Sequence, residues 1–190
     1  MELHRTEHLS TSSGQLVEVR YLGIAAHSGE MRDAILNLKY HQQRTVAKQL
    51  AHLVVTSLQQ LECIDHPCVV TWAPTTQKRI RRRGFDHAEL IARHVGAYVH
   101  APVRRLLRRT NVEAQTGRSR SDRLRAVSFV GRRLNGEHVV LIDDVTTTGA
   151  TFRAAATELV RCGAGKVTCV APSRTMNTSS HRVMSDVTDP

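Results

Sequence analysis

One stretch constrains this chain more than any other: Val139-Val140-Leu141-Ile142-Asp143-Asp144-Val145-Thr146-Thr147-Thr148-Gly149-Ala150-Thr151. Its four-residue apolar run suits a strand buried on both faces of a parallel sheet. Asp143 and Asp144 follow where that strand emerges, at the carboxyl end where ligands of open α/β sheets gather. The Thr146–Thr151 turn then offers backbone N–H groups and hydroxyls. It leads into a helical segment, Thr151–Cys162, whose N-terminus favours an anion. Carboxylates accept hydrogen bonds from sugar hydroxyls, and the turn takes a phosphate. A ribose 5-phosphate is the economical ligand. As plain structure the segment would be a buried strand, a polar turn and an N-cap, but adjacent acids and three consecutive threonines are poor core material.

A chain of 190 residues suggests one domain with a substantial core. Aromatics are only 4%, so Leu, Val, Ile and Ala must fill that core. No apolar run is long enough to cross a bilayer and no signal-peptide pattern opens the chain, so a cytoplasmic protein without a membrane partner is expected. The cysteines Cys63, Cys68, Cys162 and Cys169 contain no CxxC pair, so zinc-ribbon spacing is absent and reduced thiols are expected. His4 and His8 have helical spacing but no third ligand. No metal held by the protein alone is expected. Charge is uneven: residues 78–133 hold 16 Lys and Arg against 4 Asp and Glu, whereas the rest holds 11 against 13. Such a block implies an anionic partner, either substrate phosphates or nucleic acid, or else a solvated basic surface.

Periodicity organises the remainder. Residues 1–15 are polar and read as a disordered leader, and 175–190 as a disordered tail, leaving 16–174 as the domain. Leu16–Ile24 alternates like a strand. Ser28 can cap a helix to Tyr40, and a second helix spans Thr45–Leu61. This early helix pair could serve a homodimer. Cys68–Trp72 reads as a short buried strand, and Asp86 caps a helix to Tyr98 with Glu89 placed as in a capping box. Val103–Leu107 reads as a strand, Thr110–Arg125 as a mobile loop, Asn135-Gly136 as a tight turn and Lys166–Ala171 as the last strand. Gly163-x-Gly165-Lys166 is not a P-loop and reads as a helix C-terminal turn. Strands alternating with helices predict an α/β fold with a mainly parallel central sheet flanked by helices.

The 139–151 segment closely resembles the phosphoribosyl pyrophosphate (PRPP) signature of type I phosphoribosyltransferases. Three further segments narrow the resemblance: Leu38-Lys39-Tyr40, Arg83-Gly84-Phe85-Asp86-His87-Ala88-Glu89-Leu90, and Gln115-Thr116-Gly117-Arg118-Ser119-Arg120 with Asp122-Arg123. Together they look like the ComF/GntX competence-protein family, from about Tyr21 to Arg174. Members usually carry a four-cysteine zinc ribbon, which this sequence does not show. They usually read RGFN-Q where this chain has Asp86-His87. Their loop usually continues with Leu and Asn where Arg118 and Ala126 stand.

The resemblance implies a type I phosphoribosyltransferase-like fold with a flexible hood loop. It implies transfer of a 5-phosphoribosyl group from PRPP to an unidentified nitrogenous acceptor, with release of pyrophosphate and with Mg²⁺ carried mainly by PRPP. Asp143 and Asp144 would meet the ribose hydroxyls at the catalytic centre. Thr146, Thr147, Thr148, Gly149 and Thr151 would hold the 5′-phosphate. The N–H groups of Ala73-Pro74-Thr75-Thr76 would meet pyrophosphate, with Lys39, Arg79, Arg82 and Arg83 as charge partners. Gln115, Gly117, Arg118, Arg120 and Arg123 would belong to the hood. The alternatives are a non-catalytic PRPP sensor, or an accessory protein that binds single-stranded DNA or the competence machinery during DNA uptake.

Overall fold

The computed structural model describes residues 4–40, 44–110 and 127–175. Along them run β1 (His4–Ser10), β2 (Leu16–Ala26), α1 (Gly29–Tyr40), α2 (Arg44–Gln60), β3 (Cys68–Trp72), α3 (Gln77–Arg83), α4 (His87–Tyr98), β4 (Leu107–Thr110), β5 (Ser128–Gly131), β6 (His138–Ile142), β7 (Val145–Thr146), α5 (Ala150–Arg161) and β8 (Lys166–Arg174). The central sheet has the order β1-β2-β8-β6-β3, with β7 beside the end of β8. Pairing is parallel from β2 through β8 and β6 to β3, and only β1 is antiparallel. The α/β architecture with a mainly parallel sheet is therefore the one the strand–helix alternation predicts.

Alternation across the strands explains the unbroken apolar runs. Successive side chains point to opposite faces, and here both faces are covered. Val140 and Ile142 of β6 join Val70 and Trp72 in a core closed by α1, α2 and α4. Val139 and Leu141 join Val69, Val167 and Cys169 in a second core under α5, with Leu107 and Phe129 of the small β4–β5 ribbon. A one-sided sheet would have shown alternating polarity; β3 and β6 are buried at every position. All four cysteines are free thiols. Among the described residues, no helix is long and apolar enough to cross a membrane.

Four elements differ from the sequence reading. Residues 4–10, read as leader, form β1, an edge strand whose exposed polar side chains carry no hydrophobic alternation. Residues 77–83 form α3, although Gln77-Lys78-Arg79-Ile80-Arg81-Arg82-Arg83 has a single apolar residue. Local capping defines that helix: Thr76 Oγ1 accepts from Arg79 N–H, and Gly84 closes it at φ 84° with its N–H on Ile80 O. The strand expected at Val103–Leu107 lies at Leu107–Thr110 instead, paired with β5, which the sequence reading did not contain. Val103 makes only one bridge, to Val70. The tail from 176 onward lies outside the described residues.

Candidate functional site

Register brings two turns to one level. Trp72 of β3, Ile142 of β6 and Val170 of β8 lie side by side. The Ala73–Thr76 turn and the Asp143–Asp144 pair therefore leave the sheet together. Ala73 N–H donates to Ile142 O at 2.9 Å, and Asp143 N–H to Val170 O at 3.2 Å, stitching both turns to the strand ends.

Three carboxylates gather there. Asp143 accepts from the Asp144 N–H at 2.8 Å. Burial first, and the Asp144 charge second, push the Asp143 carboxyl well above its ordinary pKa. Asp144 pairs with Lys39 Nζ at 2.8 Å, from the last turn of α1. Asp86 caps α4 through Ala88 N–H at 3.2 Å and also accepts from Thr75 N–H at 3.0 Å. Burial raises its pKa, while the N–H groups it accepts from act the other way. The capping box is not closed in return, because the Glu89 side chain pairs with Arg93.

The predicted pyrophosphate residues divide. Of the Ala73–Thr76 N–H groups expected to meet pyrophosphate, two are engaged within the chain. Ala73 N–H is held by Ile142, Thr75 N–H by Asp86, and Pro74 has none, so Thr76 keeps the only N–H of the turn not used by these bonds. Arg79 and Arg82 lie exposed on α3, whereas Arg83 is half-buried. The Arg83 guanidinium sits 5.4 Å from the Tyr40 ring centroid, and its Nη1 lies 3.4 Å from His87 Nδ1.

The predicted phosphate turn is less encumbered. Thr146 belongs to β7 and accepts from Thr175 N–H through its carbonyl at 3.0 Å. Thr147 and Thr148 are exposed. Gly149 occupies the N-cap of α5 at φ 75°, a left-handed conformation that glycine adopts without strain, and the Thr148 hydroxyl accepts from Ala150 N–H at 3.4 Å. Thr151 lies in the first turn of α5. A cavity of about 450 Å³ opens beside Thr146, Thr147, Thr148 and Gly149, with Arg5 and Arg153 also in its wall. Gln115, Gly117, Arg118, Arg120 and Arg123 lie outside the described residues.

Sequence reasoning missed two residues of this cluster. Arg109 of β4 is partly buried and within electrostatic reach of Asp143 and Asp86. Its neighbours in the run Arg104, Arg105, Arg108 and Arg109 look alike in sequence, and only the β4–β5 pairing singles it out. His87 is buried beside Phe85, with ring centroids 4.9 Å apart. Its sequence signal was its departure from the family motif. Among the described residues, no group of three or more His, Cys, Asp or Glu is placed to hold a metal ion.

No family model matches the chain. It is 25% identical over 165 residues to the DNA utilization protein YhgH of Escherichia coli strain K12, covering 83% of this chain and 73% of that protein. It is 33% identical over 102 residues to the competence protein ComFC of Bacillus subtilis strain 168, covering 52% of this chain and 41% of that protein. These likenesses bear out the competence-protein resemblance read from the motifs. Among solved structures, a purine phosphoribosyltransferase from Pyrococcus horikoshii Ot3 aligns at 12% identity with a TM-score of 0.40, over 75% of this chain and 93% of that one.

Proposed function

We propose, from the resemblance of residues 139–151 to the PRPP signature, that this chain binds PRPP and transfers its 5-phosphoribosyl group to a nitrogenous acceptor. The observation that carries the reading is the meeting of three features at one end of the sheet. These are the Asp143–Asp144 pair, the threonine turn that leads into the start of α5 and a cluster of cations. Asp143 and Asp144 accept hydrogen bonds from the ribose diol. The α5 start and the Thr147–Thr151 turn receive the 5′-phosphate. In the transfer, the acceptor nitrogen forms a bond to C1 as the C1–O bond breaks. The electron pair leaves on pyrophosphate, and the acceptor's proton passes to water. Asp144 carboxylate offsets positive charge on the ribose ring in an oxocarbenium-like transition state. Lys39 and Arg83 offset charge on the departing diphosphate.

Mg²⁺ fits this donor set as an ion that arrives with substrate. Two adjacent carboxylates, one of them tied to Lys39, suit a cation that takes most of its ligands from phosphate oxygens and water. Asp143 and Asp144 are the oxygens the chain itself offers, and the ion would supply charge neutralisation at the diphosphate.

Calorimetric titration of PRPP in the presence of Mg²⁺ tests the reading. Wild type is expected to bind, and Asp144→Ala to bind at least about tenfold more weakly, the size of one lost charge-assisted interaction. A folded wild type that takes up no PRPP ends it. Pyrophosphate release during a screen of nitrogenous acceptors then separates transfer from sensing.

A second reading is favoured by a separate observation. Arg104, Arg105, Arg132 and Arg133 line a groove of about 380 Å³ with Leu106 and Leu134, where Arg132 N–H bonds Leu106 O at 2.9 Å. Such a groove suits the backbone of single-stranded DNA during uptake. Binding should weaken steeply with salt, and Arg104→Ala with Arg105→Ala should reduce the log–log salt slope by roughly 1–2. Absent or salt-insensitive binding at low ionic strength removes this reading.

A further inference from the structure

The cavity beside the threonine turn is larger than the phosphate monoester assigned to that turn. It encloses about 450 Å³, within the roughly 300–1,000 Å³ of pockets that hold a whole small molecule. Asp143 and Asp144 are not in its wall. A ribose on that pair, with its phosphate on the turn, therefore leaves most of the cavity unfilled. Thr146, Thr147, Thr148 and Gly149 form one side. Residues of the β1–β2 hairpin, the first turn of α5 and the end of β8 form the rest.

The charge of that wall has one sign. Arg5 of β1, Arg153 of α5 and Arg174 of β8 all line it, and among the described residues no carboxylate does. Arg174 lies across Gly23. A Cβ at that glycine would come within 2.8 Å of Arg174 Cβ, so the crossing needs a residue without a side chain. Glu7 stands behind the wall, accepting from Arg5 and, at 2.5 Å, from the Tyr21 hydroxyl. It holds Arg5 and Tyr21 in place without lining the cavity. Guanidinium groups gathered on one cavity repel one another, and an anion between them relieves the repulsion.

We propose that this cavity receives a linear phosphate chain of the kind that nucleoside di- and triphosphates carry. The terminal phosphoryl group occupies the threonine turn. The next ones lie among Arg5, Arg153 and Arg174, whose planar forks match phosphate oxygens. The assignment rests on the PRPP reading, which puts a phosphate on that turn, and deepens it, because two ligands then share one phosphate position. A chain bound there excludes the 5′-phosphate of PRPP, so such a ligand is a competitive inhibitor. A phosphate monoester gains little from the arginine wall, since its one phosphoryl group stays on the turn.

The test is calorimetric titration of the full chain with inorganic triphosphate, orthophosphate and ribose 5-phosphate, in EDTA so that no Mg²⁺ shields the chain. Wild type is compared with Arg5→Gln, Arg153→Gln and the double variant. Both arginines are exposed, so these changes leave folding intact. Wild type should bind triphosphate at least about tenfold more tightly than orthophosphate. Each single variant should lose roughly fivefold and the double variant about twentyfold, whereas ribose 5-phosphate should change by less than about threefold. Triphosphate should also displace ribose 5-phosphate from wild type. Triphosphate held no more tightly than orthophosphate overturns the proposal. So do variants that hold triphosphate as wild type does, an equal loss of triphosphate and ribose 5-phosphate in the double variant, and simultaneous binding of the two. A loss confined to Arg104→Ala with Arg105→Ala assigns the chain to the other basic groove, with the same consequence. A wild type that binds triphosphate through Arg5 and Arg153, yet takes up neither ribose 5-phosphate nor, with Mg²⁺, PRPP, sinks the PRPP reading and leaves the phosphate-chain site standing. PRPP binding with triphosphate indifferent to both arginines sinks that site alone.

Discussion

Asp143→Asn should melt higher than wild type while losing PRPP. The Asp143 carboxyl is pushed up by burial and by the neighbouring Asp144 charge. Its ionised form is therefore a burden on the folded chain at neutral pH. Asparagine is nearly isosteric, and its carbonyl can still accept the Asp144 N–H. Removing the burden should gain about 1–2 kcal/mol, or roughly 2–8 °C in the thermal midpoint for a chain of this size. The sign with pH follows from proton counting. Between the ordinary carboxyl pKa and the raised folded one, the folded chain binds more protons than the unfolded chain. Stability from this group therefore falls as pH rises through that window. His87 slopes the other way. Its folded pKa is lowered to about 4 from 6.5, so its contribution is lost as pH falls through that interval. Subtracting the stability profile of Asp143→Asn from that of wild type isolates the Asp143 contribution. A variant no more stable than wild type, with no change in pH slope, defeats the argument. In the ligand titration, losing one diol acceptor should weaken PRPP by at least about tenfold.

Lys39→Met should show the opposite cost. Methionine keeps the length and the apolar stem while removing the cation that holds Asp144 at 2.8 Å. Both side chains are mostly covered, at 18% and 16% exposure, so the loss lies between that of a surface pair and a broken buried pair. About 1–3 kcal/mol is expected, read as a lower urea midpoint with an unchanged slope. Adding Asp144→Asn should return most of it, giving a coupling of about 1 kcal/mol or more in a double-mutant cycle. Strictly additive costs would mean the pair contributes nothing, and that Asp144 is compensated from elsewhere. The pair also bears on function. Under the proposed function a ribose diol would meet an Asp144 that α1 already grips, so Lys39 would both orient the carboxylate and compete for it.

Much of this architecture was legible because its signals are local. The run Val139–Ile142 is apolar without alternation since both its faces are covered, and Cys68–Trp72 reads the same way for the same reason. Asp86 announces α4 because a carboxylate before a periodic segment satisfies orphan N–H groups. The failures have equally specific causes. β1 is an exposed edge strand, so no buried stripe marks it. α3 is fixed by Thr76 and Gly84 at its ends rather than by a buried face. β4 and β5 define each other across residues 111–127, and neither carries enough alternation alone. The same holds for the candidate site. Asp143, Asp144 and the threonine turn are contiguous and could be found by pattern. Arg109 and His87 join them only through packing between distant segments, which one sequence does not display.

The central sheet also ends in two different ways. On one side stands β1, with His4, Arg5, Thr6 and His8 exposed. On the other, β3 is overlaid by a passing segment: Val70 N–H bonds Pro102 O, and Arg104 N–H bonds Val70 O, each at 3.0 Å. Exposed strand edges are templates for further strands, and charge or prior occupation disarms them. A second molecule therefore meets ionic side chains at one border and backbone already engaged at the other. A parallel sheet with such strongly apolar inner strands would otherwise be a seed for filaments. Among the described residues, one border is thus exposed and partly charged and the other engaged, so neither offers an open apolar template for a further strand.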